Sequence, residues 1–213
     1  MIKNSIFVNV GIATGLTALT FSVPTTQWFA AKLIPKSEFV GVISSIVIIA
    51  CVSFWLIKTK AFHFRTSSLR WKIFYDLALI VVLGLLIFNI QNGPVSQITG
   101  KARTPFEVLD IIVLLPIAEE LIFRGAIWSL IEKFLKAEIT PILVLAGTSL
   151  LFGIEHLGYW AQPNWPLPPD AYLHAFSMIF AGLFFGYFRL KSNSLAIPTV
   201  FHMLANGAIL LTQ

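Results

Sequence analysis

Three ionisable residues lie close together in an apolar part of the sequence. Glu119, Glu120 and Arg124 occur within residues 116–125, where most other side chains are hydrophobic. An ionisable group in hydrocarbon costs roughly 3 kcal/mol or more unless it is paired or faces water. In a helix, Glu120 and Arg124 share a face and can pair, whereas Glu119 points about 100° away and needs a partner elsewhere. The stretch is either a functional site or a set of charges that locks helices together.

Two histidines and an asparagine are the candidate partners of Glu119. If the helices on either side of a turn near Ala137 are antiparallel, Glu119 and His156 lie at similar depths, about 18 and 19 residues from that turn. His202 and Asn206 are four residues apart on one face of the last predicted helix and can reach the same level. Structural explanations stay open for each: His156 could meet interfacial water, His202 could bond a carbonyl, and Asn206 could link helices.

The composition is that of a membrane protein. Hydrophobic residues make up 57% of the chain and charged residues 12%, with a mean hydropathy of +0.83, whereas soluble domains carry about 25% charged residues. The net charge of +5 is carried mainly by short loops, without a basic stripe on one face, which argues against nucleic-acid binding. The single cysteine, Cys51, excludes an internal disulfide and is predicted to pack in the core.

The chain is predicted to be all-α, a polytopic bundle of about seven transmembrane helices. The first apolar run is predicted to be a retained helix, although a signal peptide is the alternative. The loop at residues 58–72 carries five basic residues and no acid, which places it, and with it the N-terminus, in the cytoplasm. We expect a multi-pass protein of the plasma membrane. The predicted helices cover residues 6–23, 39–57, 73–90, 105–136, 142–156, 172–188 and 195–211.

Other polar residues near these helices are predicted to be structural or interfacial. Thr104 is a candidate cap before the helix that starts at Pro105. Asp110, in the first turns of that helix, suits the helix dipole and the membrane interface. Glu155 points to a different face from its neighbour His156 and is predicted to be a structural or interfacial charge, and His174 is predicted to lie at the interface.

The polar residues fall into three ordered motifs on successive hydrophobic segments. The motifs are Glu119-Glu120-x-x-x-Arg124, Phe152-x-x-x-His156 and His202-x-x-x-Asn206. Their order resembles that of the CPBP family, the CAAX-protease and bacteriocin-processing intramembrane proteases also called the Abi family, which includes the type II CAAX prenyl endopeptidases. The resemblance covers about residues 105–211. It implies that residues 105–213 form a catalytic helical core, integrated with N-terminal transmembrane helices and a basic loop in residues 1–104.

The resemblance implies an intramembrane endopeptidase that cleaves a membrane-associated or lipidated peptide. Glu119 would be the general base, and His156 would hold the attacking water beside it. His202 and Asn206 would stabilise the oxyanion, where preorganised donors contribute about 3 to 4 kcal/mol each. The residues that support the site would be Glu120, Arg124 and Phe152.

Metal use is left open by the resemblance. Members of the family have been called metalloendopeptidases, and Glu119, His156 and His202 would make a His2Glu set like that of catalytic zinc sites. The sequence contains no His-Glu-x-x-His motif. A glutamate-and-histidine mechanism without zinc or another cofactor is therefore the preferred interpretation.

Two other classes of function stay open. The family also includes non-catalytic proteins of bacteriocin self-immunity and proteins that partner other membrane proteins. A proton-coupled transporter would likewise place carboxylates and histidines in the membrane, but it predicts broken helices or repeat symmetry that the sequence does not display. The expected partners are a membrane-embedded or lipidated peptide, the lipid bilayer and, for a scaffold, another membrane protein.

Overall fold

The described part of the chain is helical. The computed structural model describes residues 39–61, 68–92, 104–135, 141–160 and 167–211, and these contain helices and no strand, which confirms the predicted all-α class. The helices are α1 (Val40–Lys58), α2 (Leu69–Asn92), α3 (105–135), α4 (Pro141–Trp160), α5 (Pro169–Ser192) and α6 (Ala196–Leu210). The predicted helix at residues 6–23 lies outside the described residues, so the count of seven stays a prediction.

The six helices lie where the sequence places them, with ends that differ by a few residues. α2 begins at Leu69, four residues before its predicted start. α5 begins at Pro169, whose fixed φ suits a first helical turn, and ends before Asn193, which has a left-handed φ of 49°. Arg189 and Lys191 lie in its last turn, where the helix dipole favours cations.

Helix α3 carries the charged motif and is only partly α-helical. Thr104 caps it as predicted: its hydroxyl accepts from the amide of Glu107 at 3.3 Å, while the Glu107 carboxylate accepts from the amide of Thr104 at 2.8 Å. In a π-helical segment each amide bonds the carbonyl five residues back, and such segments are frequent at functional sites. The α-helical segments are Pro105–Leu109, Leu115–Glu120 and Trp128–Leu135, and the π-helical segments are Asp110–Leu114 and Leu121–Ile127.

Helix α3 also lies between the two apolar cores of the described chain. One core joins α3 to α1 and α4, and includes Leu56 and Ile122. The other joins α3 to α2 and α6, and includes Val82 and Ile112. Because both cores bury side chains of α3, the charged residues of this helix are held from both sides.

Helices α4 and α5 form a closely packed antiparallel pair. A Cβ atom on Gly182 would lie 2.9 Å from the Cα of Ser149, and one on Gly153 would lie 2.7 Å from the carbonyl oxygen of Ala175. A Cβ on Gly186 would overlap a leucine side chain of α4. Gly182 and Gly186 permit this close approach, and the helix pair brings the Phe152 motif next to α5.

The exterior of the described helices is apolar, while several charged side chains are fully buried. Large hydrophobic residues such as Phe54, Ile80 and Leu173 are more than half exposed, the reverse of the usual distribution in a soluble protein. Two helical segments are long and apolar enough to cross a membrane, Gly41–Lys58 and Pro169–Ser192. Membrane crossing by the other helices stays a prediction.

Two residues lie where the sequence did not place them. Cys51, predicted to pack in the core, is exposed; an almost wholly apolar helix gives no signal of which face is buried. Asp110, predicted to lie at the interface, is buried and accepts a hydrogen bond from the Ser45 hydroxyl of α1 at 2.6 Å. A Cβ on Gly41 would overlap the Asp110 carboxylate, so α1 approaches α3 closely at this level.

Candidate active site

The predicted ion pair between Glu120 and Arg124 forms in the interior of the protein. Arg124 Nη1 donates to Glu120 Oε1 at 3.0 Å, and both side chains are 0% exposed. Arg124 Nη2 donates to the carbonyl of Gly182 on α5 at 2.9 Å, which is accessible because that helix approaches closely at a glycine. The guanidinium thus links α3 to α5 and neutralises a carboxylate that would be costly to bury alone.

His202 lies between the two glutamates of the motif. Its Nδ1 is 3.0 Å from Glu120 Oε1, and its Nε2 is 3.6 Å from Glu119 Oε2. Because Glu120 is paired with Arg124, its carboxylate is the acceptor and His202 Nδ1 is the donor. This bond fixes the ring so that Nε2 faces Glu119. The contact between His202 and Glu120 was not predicted, since the residues are 82 positions apart and no local spacing signals it.

The ring of Phe152 lies at the centre of the site. Its centroid is 4.8 Å from that of His156 and 5.8 Å from that of His202, while the Arg124 guanidinium lies over its face at 4.6 Å. The ring of Phe185, on α5, stacks on His202 at 4.6 Å with an interplanar angle of 19°. Two aromatic rings therefore pack against the imidazoles and the guanidinium, and the supporting role of Phe152 stays a prediction.

His156 extends the site towards the exposed surface of α5. It is partly buried, and its Nδ1 lies 2.8 Å from the carbonyl of Phe152, one turn earlier. Nδ1 is therefore the donor, and the acceptor nitrogen of a neutral ring is Nε2. The ring of the exposed His174 lies 5.4 Å from that of His156, between centroids. His174 was assigned to the interface from the sequence, but the antiparallel pairing of α4 and α5 places it against this site.

Asn206 lies on α6, one turn after His202, and is partly buried. Its Nδ2 donates to the carbonyl of Ile111, in the first π-helical segment of α3, at 2.9 Å. The amide has a second N–H, which is available to another acceptor. The predicted contribution of Asn206 to an oxyanion site stays a prediction.

Glu155 is a buried carboxylate that sequence reasoning did not assign to the site. It is 0% exposed, which excludes the interfacial placement, and it interacts electrostatically with Glu119 and Arg124. Neither of its carboxylate oxygens has a hydrogen-bond partner among the described residues. The sequence feature that could have assigned Glu155 to the site is its position next to His156 in an apolar segment.

The described residues do not form an evident metal centre. They include no group of three or more His, Cys, Asp or Glu side chains arranged to hold a metal ion. The set proposed for zinc from the sequence, Glu119, His156 and His202, is not such a group here.

Buried acidic and imidazole groups inside a helical protein with an apolar exterior are typical of an enzyme of the membrane interior. Residues 101–208, about half of the chain, match the family model described as type II CAAX prenyl endopeptidase Rce1-like. The chain therefore belongs to this family of membrane-embedded CAAX-type proteases, as its three motifs predict. No curated protein and no solved structure matches the chain.

Proposed function

We propose that the protein is a multi-pass intramembrane endopeptidase that hydrolyses a peptide bond of a membrane-associated or lipidated peptide. The observation that carries this proposal is the His202 imidazole, held between the carboxylates of Glu119 and Glu120 on a segment that matches the protease family. Carboxylates and imidazoles held in position are typical general acid–base groups for hydrolysis. The apolar exterior suits a substrate that arrives through the bilayer.

In the proposed mechanism, Glu119 and His156 activate a water molecule. Glu119 accepts a proton from the water as its oxygen attacks the carbonyl carbon, and the carbonyl oxygen becomes an oxyanion. Asn206 donates a hydrogen bond to that oxyanion, and His202, whose Nδ1–H is committed to Glu120, donates from Nε2 as an imidazolium. The carbon–nitrogen bond then breaks, and the proton held by Glu119 passes to the leaving amine.

The supporting residues give this mechanism its fixed geometry. Glu120 holds His202 Nδ1, so the other ring nitrogen keeps its direction towards Glu119. Arg124 keeps Glu120 in place, and the ring of Phe152 separates the two imidazoles. Donors positioned in advance need no reorganisation during the reaction, which is why they are effective in a water-poor site.

The decisive experiment measures cleavage by the purified protein in liposomes. The probes are a fluorogenic peptide ending in a prenylated Cys-aliphatic-aliphatic-X sequence and its unprenylated counterpart. We expect Glu119→Gln and His202→Ala to lower kcat/KM by about 100-fold or more. Asp76→Asn, which changes an exposed carboxylate of α2, is the matched control and should cleave at the wild-type rate. If both site variants fold and cleave normally, the assignment of Glu119 and His202 to the active site is refuted. If the folded wild-type protein cleaves neither probe, a non-catalytic role such as immunity or membrane-protein partnering is favoured instead.

The metal-free version of this proposal has its own measurement. The metal content of active protein should be substoichiometric, and cleavage should survive treatment with a chelator. Stoichiometric zinc whose removal abolishes cleavage would instead assign Glu119, His156 and His202 as ligands.

The protein is proposed to lie in the plasma membrane, with its N-terminus on the cytoplasmic side. The support is the excess of basic residues at 58–72 compared with the segment at 91–104. Reporter fusions at these two segments should report opposite sides of the membrane. The same side for both would refute the topology.

A further inference from the structure

The first π-helical segment of α3 leaves one backbone carbonyl without a backbone donor. In an α-helix the carbonyl of Ile111 would accept from the amide of Leu115, but that amide donates to the carbonyl of Asp110. In the π register, Ile111 would accept from the residue five positions on, which is Pro116. Proline has no amide hydrogen. Neither helical register therefore supplies a donor for Ile111.

Asn206 supplies the missing donor from another helix. Its Nδ2 lies 2.9 Å from the Ile111 carbonyl oxygen. Prolines are tolerated in membrane helices where a neighbouring group satisfies the carbonyl that they leave free. The hydrogen bond of Asn206 is such a group, and it joins α6 to the π segment that precedes the two glutamates.

Besides the apolar core that joins α6 to α3, the described residues show two polar links between these helices, and the other one is at the reactive site. His202, one turn before Asn206, contacts Glu119 and Glu120. Apolar packing is non-directional and restrains the depth and rotation of α6 less strictly than a pair of hydrogen bonds does. The second link, to Ile111, fixes the level at which the imidazole meets the carboxylates.

We infer that Asn206 is a positioning residue. Its side-chain amide donates the hydrogen bond that the Ile111 carbonyl lacks because residue 116 is proline, and this bond fixes the position of His202 relative to the two glutamates. The inference rests on the proposed function for its catalytic consequence and adds to it. One N–H of the amide is committed to Ile111, and the other stays available for the reacting peptide. Part of the loss in any Asn206 variant therefore comes from the helix contact.

A double-mutant cycle between Asn206 and Pro116 tests this role. Replacing Pro116 with alanine adds an amide five residues after Ile111, which can satisfy the carbonyl within α3. We expect Asn206→Ala to lower both kcat/KM and Tm, and Pro116→Ala to recover about tenfold in kcat/KM when it is added to Asn206→Ala. The loss of Tm caused by Asn206→Ala should also be smaller in the Pro116→Ala background.

His202→Ala provides the matched control for that cycle. Its defect should be the same with or without Pro116→Ala, because the imidazole does not bond the π segment. If Asn206→Ala lowers kcat/KM and Tm by the same amounts whether residue 116 is proline or alanine, the inference is overturned. Coupling in Tm without coupling in kcat/KM would also overturn it, because the bond would then be structural only.

Folding of the single variant does not limit the test. If Asn206→Ala fails to fold, recovery of folded protein by Pro116→Ala supports the inference, and a double variant that also fails to fold overturns it. The proposed proteolysis is judged separately, from the effect of Glu119→Gln on cleavage. If that activity is absent, the cycle in Tm still decides whether the hydrogen bond completes the π segment.

Discussion

Glu120→Gln is expected to destabilise the protein far more than Glu119→Gln, although the two residues are neighbours. Oxygen Oε1 of Glu120 accepts from Arg124 and from His202, each at 3.0 Å. Hydrogen bonds to charged groups contribute about 1.5–3 kcal/mol each. Removal of the carboxylate charge also leaves a fully buried guanidinium without its counterion, and breaking a buried pair in this way costs about 3–5 kcal/mol in total.

The size of that cost sets the expected thermal shift. For a chain of about this length, each kcal/mol changes Tm by roughly 2–4 °C, so Glu120→Gln should lower Tm by about 10 °C. Glu119→Gln leaves in place both the pair of Glu120 with Arg124 and the bond between Glu120 and His202. Glu119→Gln should therefore abolish cleavage with a much smaller change of Tm.

The assay is thermal unfolding in detergent, followed by cleavage of the lipidated probe at a temperature where each variant is folded. Asp76→Asn is the control for the loss of a carboxylate from an exposed position. Adding Arg124→Gln to Glu120→Gln should recover part of the stability, because it removes the unpaired buried charge. Equal losses of Tm in the Glu119 and Glu120 variants, or an unchanged Tm in the Glu120 variant, would refute the division into reactive and supporting carboxylates.

Two further predictions concern contacts that hold the helices around the site, both read out by Tm. Gly182→Ala should lower Tm by the equivalent of about 1–3 kcal/mol, because its Cβ would lie 2.9 Å from the backbone of Ser149. Gly84→Ala is the control and should be neutral or stabilising, because no atom lies within 4 Å of its Cβ. Equal changes of Tm in the two variants would refute the packing argument. Ser45→Ala should cost about 1–3 kcal/mol, because the buried carboxylate of Asp110 loses its 2.6 Å hydrogen bond, and an unchanged Tm would contradict this.

Local spacing was sufficient to predict the parts of the site that lie within one helix. The ion pair of Glu120 and Arg124 follows from a separation of four residues, and it forms although Arg124 lies in a π-helical segment. The cap at Thr104 likewise depends on neighbouring residues alone. Helix positions were predictable because long apolar runs bounded by prolines and polar residues have few alternative readings.

The contacts between helices could be predicted only as approximate depths. Counting from the turn near Ala137 placed His156 at the depth of Glu119, and the last helix was separately predicted to bring His202 to the same level. His202 does lie beside Glu119. The count could not show that His202 also bonds Glu120, because rotation about the helix axis depends on packing along the whole helix. The burial of Glu155 and Asp110 was missed for the same reason.

The π-helical segments were beyond prediction because they arise from a balance between local and distant groups. Pro116 removes one amide from the helix, yet a proline alone predicts a kink as readily as a π segment. The outcome at Ile111 depends on the donor from Asn206, which is 95 positions away. A sequence reading can identify the carbonyls that a proline leaves free, but only the fold identifies the group that satisfies them.

The supporting carboxylate and the proposed reactive carboxylate contact opposite nitrogens of the His202 imidazole. Nδ1 of His202 bonds the carboxylate that also neutralises Arg124, whereas Nε2 faces Glu119. Because the supporting bond fixes the ring, a change in the supporting half displaces the reactive half as well. The effects of mutating Glu119 and Glu120 should therefore be coupled through His202 and not additive. The buried pair of Glu120 and Arg124 costs desolvation free energy, but it holds the carboxylate that keeps the imidazole in a single orientation.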